Sequence, residues 1–152
     1  MTLITPATEE DISKIIEIER EAISPPWTHG ALLSEIYKDD SFFIIAVDDT
    51  GEPSPCVAGF AIIRQVGDDG ELLQIAVDKN QRRLGVGDLL MEAVVAYAWK
   101  NTCNSIFLEV RRGNKPAVSL YEKHGFKSVR IRRDYYSDPV EDALVMTKPL
   151  LR

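Results

Sequence analysis

Only two cysteines, Cys56 and Cys103, and two histidines, His29 and His124, occur in the 152 residues. Neither cysteine stands in a Cys-x-x-Cys pair or at ligand spacing from a histidine, so no zinc site or disulfide framework is written here, and no metal is expected. The thiols read as reduced and half-buried, as in a cytoplasmic protein. No apolar run approaches the roughly 20 residues that span a bilayer. The opening Met1-Thr2-Leu3-Ile4-Thr5-Pro6 lacks the length and basic flank of a signal peptide. Neither export nor membrane association is therefore expected. Internal repeats and low-complexity linkers are missing, which leaves a single domain over 1–152. An excess of positive charge is missing too: 18 Lys and Arg face 24 Asp and Glu, a net charge of −6. Nucleic-acid binders neutralise phosphates with a basic face, so direct nucleic-acid binding is not expected. The charge is compatible with a basic polypeptide as partner, although charge alone does not select one.

What is present is ordinary for a globular protein, 45% apolar and 28% charged, with clear punctuation. Leu3-Ile4 begins a strand that stops at Pro6. Thr8 with Asp11 has the form of a shortened capping box, and Ile12, Ile15, Ile16 and Ile18 predict a helix to about Ala22. Ser24-Pro25-Pro26-Trp27-Thr28 breaks it, and Thr28 caps a second helix to about Tyr37. Strands are predicted over 42–47, 56–66 and 72–77, separated by Asp48-Asp49-Thr50-Gly51 and Gly67-Asp68-Asp69-Gly70. A basic, glycine-containing loop precedes a helix through Leu89, Leu90, Ala93, Val94 and Tyr97, and 106–110 returns as a strand. Pro116 opens a short helix that Gly125 ends, and strands near 129–135 and 143–147 flank Ser137-Asp138-Pro139. The order β-α-α-β-β-β-α-β-α-β-β predicts an α/β fold, a mixed sheet covered by helices.

Chemistry concentrates in two segments. In the first, Leu73-Gln74-Ile75-Ala76-Val77-Asp78 leads to Gln81-Arg82-Arg83-Leu84-Gly85-Val86-Gly87 at the start of a helix. Glycines let backbone amides approach an anion, and a helix N-terminus offers free N–H groups and a positive dipole end. Arg82 and Arg83 add charge where a pyrophosphate would sit. The glycines are equally compatible with a simple turn, and neither a Walker loop nor a dinucleotide fingerprint is present. The second segment is Leu108-Glu109-Val110-Arg111-Arg112-Gly113-Asn114, followed by Leu120-Tyr121-Glu122-Lys123-His124-Gly125-Phe126.

The chain resembles the GNAT superfamily of acetyl-CoA-dependent N-acetyltransferases, whose Gln/Arg-x-x-Gly-x-Gly/Ala motif is matched by Arg82 to Gly87. The resemblance covers nearly the whole chain. It implies a twisted sheet of about seven strands with about four helices, and two parallel strands that splay at the acetyl-CoA site. Ile75, Ala76 and Val77 would then lend backbone groups to the pantetheine arm, and Arg83, Leu84, Gly85, Val86, Gly87 and Asp88 would hold the pyrophosphate. Asp88 departs from the family, because a carboxylate beside phosphates is repulsive unless it turns outward. The second segment, with Pro26-Trp27, Arg132-Arg133-Asp134-Tyr135-Tyr136 and Glu141-Asp142-Ala143, resembles the RimI-type branch, which acetylates the N-terminal alanine of a small-subunit ribosomal protein.

That resemblance implies a polypeptide N-terminus as acceptor. Glu109 would take a proton from an α-ammonium with a pKa near 8, and Tyr121 would protonate the leaving thiolate. Backbone N–H groups of 75–77 would stabilise the oxyanion. Each assignment has a plainer alternative. Glu109 could face solvent or pair with an arginine, Tyr121 could be a core residue, and Asn114 could cap the helix opened by Pro116 instead of touching cofactor. Tyr135 and Tyr136 could cover the sheet end instead of lining a peptide groove, and Trp27 could anchor packing instead of contacting substrate. Rival functions are a small-molecule amine acetyltransferase and a non-catalytic acetyl-CoA sensor.

Overall fold

The structure, a computed structural model, describes residues 1–50, 56–82 and 84–151. In chain order they form β1 (Thr2–Pro6), α1 (Ile12–Ala22), α2 (His29–Ile36), β2 (Ser41–Asp48), β3 (Cys56–Val66) and β4 (Asp69–Val77). There follow α3 (Val86–Lys100), β5 (Ser105–Arg111), α4 (Lys115–Lys123), β6 (Lys127–Ser137) and β7 (Val140–Pro149). This is the expected order. The last two strands run longer than the apolar pattern suggested, because β6 is an edge strand and exposes nearly all its side chains. Gly51 of the predicted turn and Arg83 of the predicted loop lie outside the described residues.

Local signals account for most element ends. Thr8 donates its N–H to the Asp11 carboxylate at 2.8 Å, but the pair opens a single 3-10 turn, Glu9–Asp11, and α1 starts only at Ile12. Thr28 Oγ1 accepts from Ala31 N–H at 3.1 Å and caps α2. After α4, Gly125 adopts φ +90°; its N–H reaches Glu122 C=O at 3.0 Å, and Phe126 N–H reaches Tyr121 C=O at 3.0 Å. These two bonds satisfy carbonyls that a helix end leaves open, and the left-handed conformation they require favours glycine.

The sheet runs β1-β2-β3-β4-β5-β7-β6, with every pair antiparallel except β4 and β5. The parallel pair is short: Gly70 faces Ile106, Glu71 faces Phe107, and pairing then stops. A bulge in β4 marks the parting. Leu72 faces Ile63 and Gln74 faces Ile62 on β3, leaving Leu73 as the extra residue. Leu72 packs on the α3 side, whereas Leu73 and Gln74, though consecutive, both turn to the α1 side. Such an insertion bends and twists its strand, which carries β4 away from β5.

Two cores sandwich the sheet. Val86, Leu90, Met91 and Val94 of α3 pack on Ile44, Ala61, Ile63, Ile106 and Leu108. Ile12, Ile15, Ile18 and Leu32 of α1 and α2 pack on Phe43, Ile45, Phe60 and Ile62. Strand β3 is buried on both faces, hence its unbroken apolar run. Cys103 is fully buried and Cys56 half-buried, and the two form no disulfide. Among the described residues no helix is long and apolar enough to cross a membrane, and no group of three or more His, Cys, Asp or Glu is placed to hold a metal ion.

Candidate active site

Where β4 leaves β5, backbone groups lose their strand partner. Asp78 N–H bonds Ala58 C=O on β3 at 2.8 Å. Alternation then turns the polar groups of Ala76 and Gln74 toward β3 as well, and those of Ile75 and Val77 toward the gap. Of the three strand residues expected to lend backbone groups there, Ala76 is therefore the exception. Val77 C=O is approached by Arg82 Nε at 3.4 Å, which ties the following loop to the strand end.

At the far end of the gap α3 begins. Gly85, with φ +79°, occupies the N-cap position and brings no side chain to cap the helix. The first-turn N–H groups of Val86, Gly87 and Asp88 are thus the free donors of a helix N-terminus, suited to an anion. Leu84 is exposed and Val86 points its side chain into the core, so both would act through the backbone. The Asp88 carboxylate is turned to α4, with Lys123 Nζ at 2.9 Å and His124 Nε2 at 2.7 Å. Lys123 and then His124 hold its pKa below the usual carboxylate range. Its negative charge is matched there, which answers the departure noted in the sequence.

Glu109 alternates with Leu108 and Val110, whose side chains enter the α3-side core, and so lies on the α1 side of β5. Arg132 Nε stands 2.6 Å from its Oε2, an ion pair without an aligned hydrogen bond, and the Tyr135 hydroxyl donates to its Oε1 at 3.2 Å. The arginine pairing weighed from sequence is present. Tyr121 is 7% exposed and packs against Phe126 with ring centroids 5.8 Å apart. Burial, with a smaller contribution from Tyr136, pushes its phenol pKa far above the ordinary value. Asn114 Oδ1 accepts from Ala117 N–H at 3.3 Å and caps α4.

Two cavities meet at the gap. One, about 520 Å³, is bordered by Pro26, Trp27, Glu71, Tyr135 and Tyr136. The other, about 450 Å³, is bordered by Ile75, Asn114, Ala117 and Tyr121. Glu109, Gln74 and Arg111 border both, so the carboxylate sits at their junction. The loop bearing Trp27 is fixed from below: buried Glu19 Oε2 accepts Trp27 N–H at 3.0 Å and Gln74 Nε2 at 2.8 Å. Tyr135 and Tyr136 meet edge to face at 5.1 Å. Glu109, with burial behind it, raises the Tyr135 pKa, and burial followed by Glu109 raises that of Tyr136.

Two residues of this site carry no role in the sequence reading. Arg111 donates to Ser24 C=O at 2.9 Å, to Pro139 C=O at 3.1 Å and to Glu141 at 3.2 Å, and lies 4.2 Å over the Tyr136 ring. It joins the α1–α2 and β6–β7 loops across the junction. The only sequence signal was its place two residues after Glu109. Glu71 lay one residue before the predicted strand and thus outside it.

The acetyltransferase (GNAT) family matches residues 12–126. The chain is 32% identical to the [ribosomal protein bS18]-alanine N-acetyltransferase of Escherichia coli K12 over 152 residues, covering 99% of each. A crystal structure of the ribosomal-protein-S18-alanine N-acetyltransferase from Escherichia coli superposes with a TM-score of 0.86 at 31% identity, covering 100% of this chain and 96% of that one. An N-alpha-acetyltransferase of Sulfurisphaera tokodaii is 36% identical over 149 residues, 92% of this chain and 88% of the relative. The fold also matches Arabidopsis thaliana NAA60 in complex with acetyl-CoA, with a TM-score of 0.86 at 19% identity, over 99% of this chain and 100% of that one.

Proposed function

The chain belongs to the acetyltransferase (GNAT) family, and from that premise we propose that it moves the acetyl group of acetyl-CoA to the free α-amine of a polypeptide N-terminus, that of a small-subunit ribosomal protein beginning with alanine. The observation that carries this reading is Glu109 at the junction of two cavities. One lies between Ile75 of β4 and the start of α4, the other is walled by Trp27 and Tyr135, and Tyr136 borders both. The name of the Escherichia coli relative supports this acceptor, and that of the Sulfurisphaera tokodaii relative supports an α-amine.

The residues fit acetyl-CoA. The uncapped first turn of α3 suits a pyrophosphate, and the backbone edges of Ile75 and Val77, which no strand pairs among the described residues, suit an amide-bearing chain laid along β4. Arg82, Leu84, Gly85, Val86, Gly87 and Asp88 would hold the phosphates, and Asn114 borders the cavity at the α4 end. When bound, acetyl-CoA supplies the reactive thioester. Glu109 receives a proton from the α-ammonium, directly or through water. Tyr121, like any phenol, keeps its proton at neutral pH, burial disfavours the phenolate further, and it would have that proton to give to the departing sulfur. N–H groups at the β4 edge face the oxyanion.

The test is turnover against short peptides differing in their first two residues, beside a polyamine, an amino acid and an aminoglycoside, read by mass spectrometry. Acetylation confined to the α-amine, best with alanine first, is expected. Turnover on the small amines alone makes this a small-molecule enzyme, and acetyl-CoA binding without turnover on any amine makes it a sensor.

Arg111 gives a further expectation. Lysine keeps its charge but cannot reach two carbonyls, a carboxylate and a ring at once. Arg111→Lys should loosen both loops and raise the peptide KM about 10-fold, the scale of one lost charge-assisted hydrogen bond. The acetyl-CoA dissociation constant, measured by calorimetry, should stay within about 2-fold. Equal losses on both substrates would remove the loop-clamping role.

A further inference from the structure

We propose that Gln74 binds the acceptor amine: its side-chain carbonyl accepts a hydrogen bond from an N–H of the reacting nitrogen and fixes that nitrogen between Glu109 and the thioester. The inference rests on the amine-acceptor reading above. Gln74 is 4% exposed, yet with Glu109 and Arg111 it borders both cavities. The bulge at Leu73 puts its side chain on the α1 side of the sheet, the side of Glu109.

The orientation of its amide is set from behind. Glu19 of α1, fully buried, presents one oxygen, Oε2, to both the Trp27 N–H at 3.0 Å and Gln74 Nε2 at 2.8 Å. A carboxylate oxygen beside an amide takes the NH2 end, because only that end donates. Gln74 Oε1 is therefore the end turned away from Glu19 Oε2, and it has no hydrogen-bond partner among the described residues. Glu19 Oε1 has none either, but Glu19 borders neither cavity, so only Gln74 stands where a substrate can meet it. Arg111, the cation at the junction, is not the missing donor. Its N–H groups go to Ser24, Asp138, Pro139 and Glu141.

Of the two substrates, only the amine brings a donor to this point. A buried acceptor left without one is costly, so a ligand that supplies it is favoured. The reacting end of acetyl-CoA, a carbonyl and a sulfur, carries no N–H. An α-ammonium carries three. One proton goes to Glu109, one N–H bond is held by Gln74, and the freed lone pair is left directed at the acetyl carbon. Ile75, the next residue, opens its backbone to the gap, so amine and thioester meet at adjacent positions of β4. An amide does not titrate near neutral pH, so Gln74 orients the nitrogen and takes no proton from it.

The experiment uses calorimetry, with CoA present, on wild type and Gln74→Met. The probes are an alanine-starting peptide and its deamino analogue, in which hydrogen replaces the α-amine. Methionine keeps the length of glutamine but offers no amide. Gln74→Met is expected to weaken the amine peptide about 10-fold, the scale of one hydrogen bond to a charged group. The deamino analogue should weaken by less than about 2-fold. For the amine peptide kcat/KM should fall by the same factor at pH 7 and pH 9, because no titrating group is removed, and acetyl-CoA affinity should not change. A loss shared equally by both peptides makes Gln74 a packing residue under the Trp27 loop and overturns the proposal, as does unchanged binding of the amine peptide. If Gln74→Met does not fold, Gln74→Asn, which keeps the amide but draws its carbonyl back by one methylene, is measured with the same pair, and the same outcomes decide. If wild type acetylates a small primary amine and no peptide, the peptide reading alone falls, and that amine with its deamino analogue replaces the two peptides.

Discussion

Tyr121→Phe is expected to lower turnover with a saturating alanine-starting peptide by about 10²-fold, the lower end of the range for general acid catalysis. The substitution deletes one hydroxyl and keeps the ring that packs on Phe126. No hydrogen bond from that hydroxyl to another protein group helps hold the described fold, so the melting temperature should move by no more than about 2 °C. Burial makes Tyr121 a weak acid, so it does not lose its proton before sulfur carries negative charge. A thiolate also leaves without help more readily than an alkoxide, which sets the effect at the low end of the range. The checks are single-turnover kinetics and thermal melting on the same preparation. Wild-type turnover in a well-folded variant would make Tyr121 a packing residue and leave water as the acid.

Gly87→Val is expected to raise the acetyl-CoA dissociation constant about 10–10²-fold, matching an overpacking cost of about 1–3 kcal/mol. A Cβ at Gly87 would lie 3.5 Å from Leu120 and 3.7 Å from Val77, ordinary contact distances. Alanine therefore fits, and Gly87→Ala should bind almost as the wild type does. The two further methyl groups of valine must stand beside Val77, at the end of the strand edge that faces the gap, next to the free N–H groups of α3. Obstruction of the gap, more than of the phosphates themselves, is the physical cause. Calorimetry on both variants, with melting curves to confirm the fold, is the check. Unchanged affinity in Gly87→Val would reduce the loop to a turn.

The two expectations differ in how much the sequence alone supports them. The position of Gly87 at a helix start was legible because the signals are local: a strand run, a polar loop, glycines and then an apolar helical period. Asn114 as a cap and Gly125 as a helix end were legible for the same reason, their partners lying within four residues. The side toward which a Cβ at Gly87 would point was not legible, since it depends on Leu120 of another helix.

By itself the sequence determined the order of elements, the family, the loop at the start of α3, and Glu109 and Tyr121 as the pair to test. Periodicity, capping and turn chemistry act over a few residues, and the motif lies in contiguous stretches. The tertiary structure decided what those residues meet. Arg132 reaches Glu109 from the next-but-one strand, and Arg111 holds Ser24 from 87 residues away. Asp88 finds Lys123 and His124 on α4 instead of facing phosphate. The bulge at Leu73 puts two consecutive side chains on one face, a break in alternation that no period-two reading contains. Glu71 became part of the site only through the parallel register that ends at its position. Pairing across a sheet is set by the packing of both faces at once, and one strand's residues do not encode where its neighbour stops.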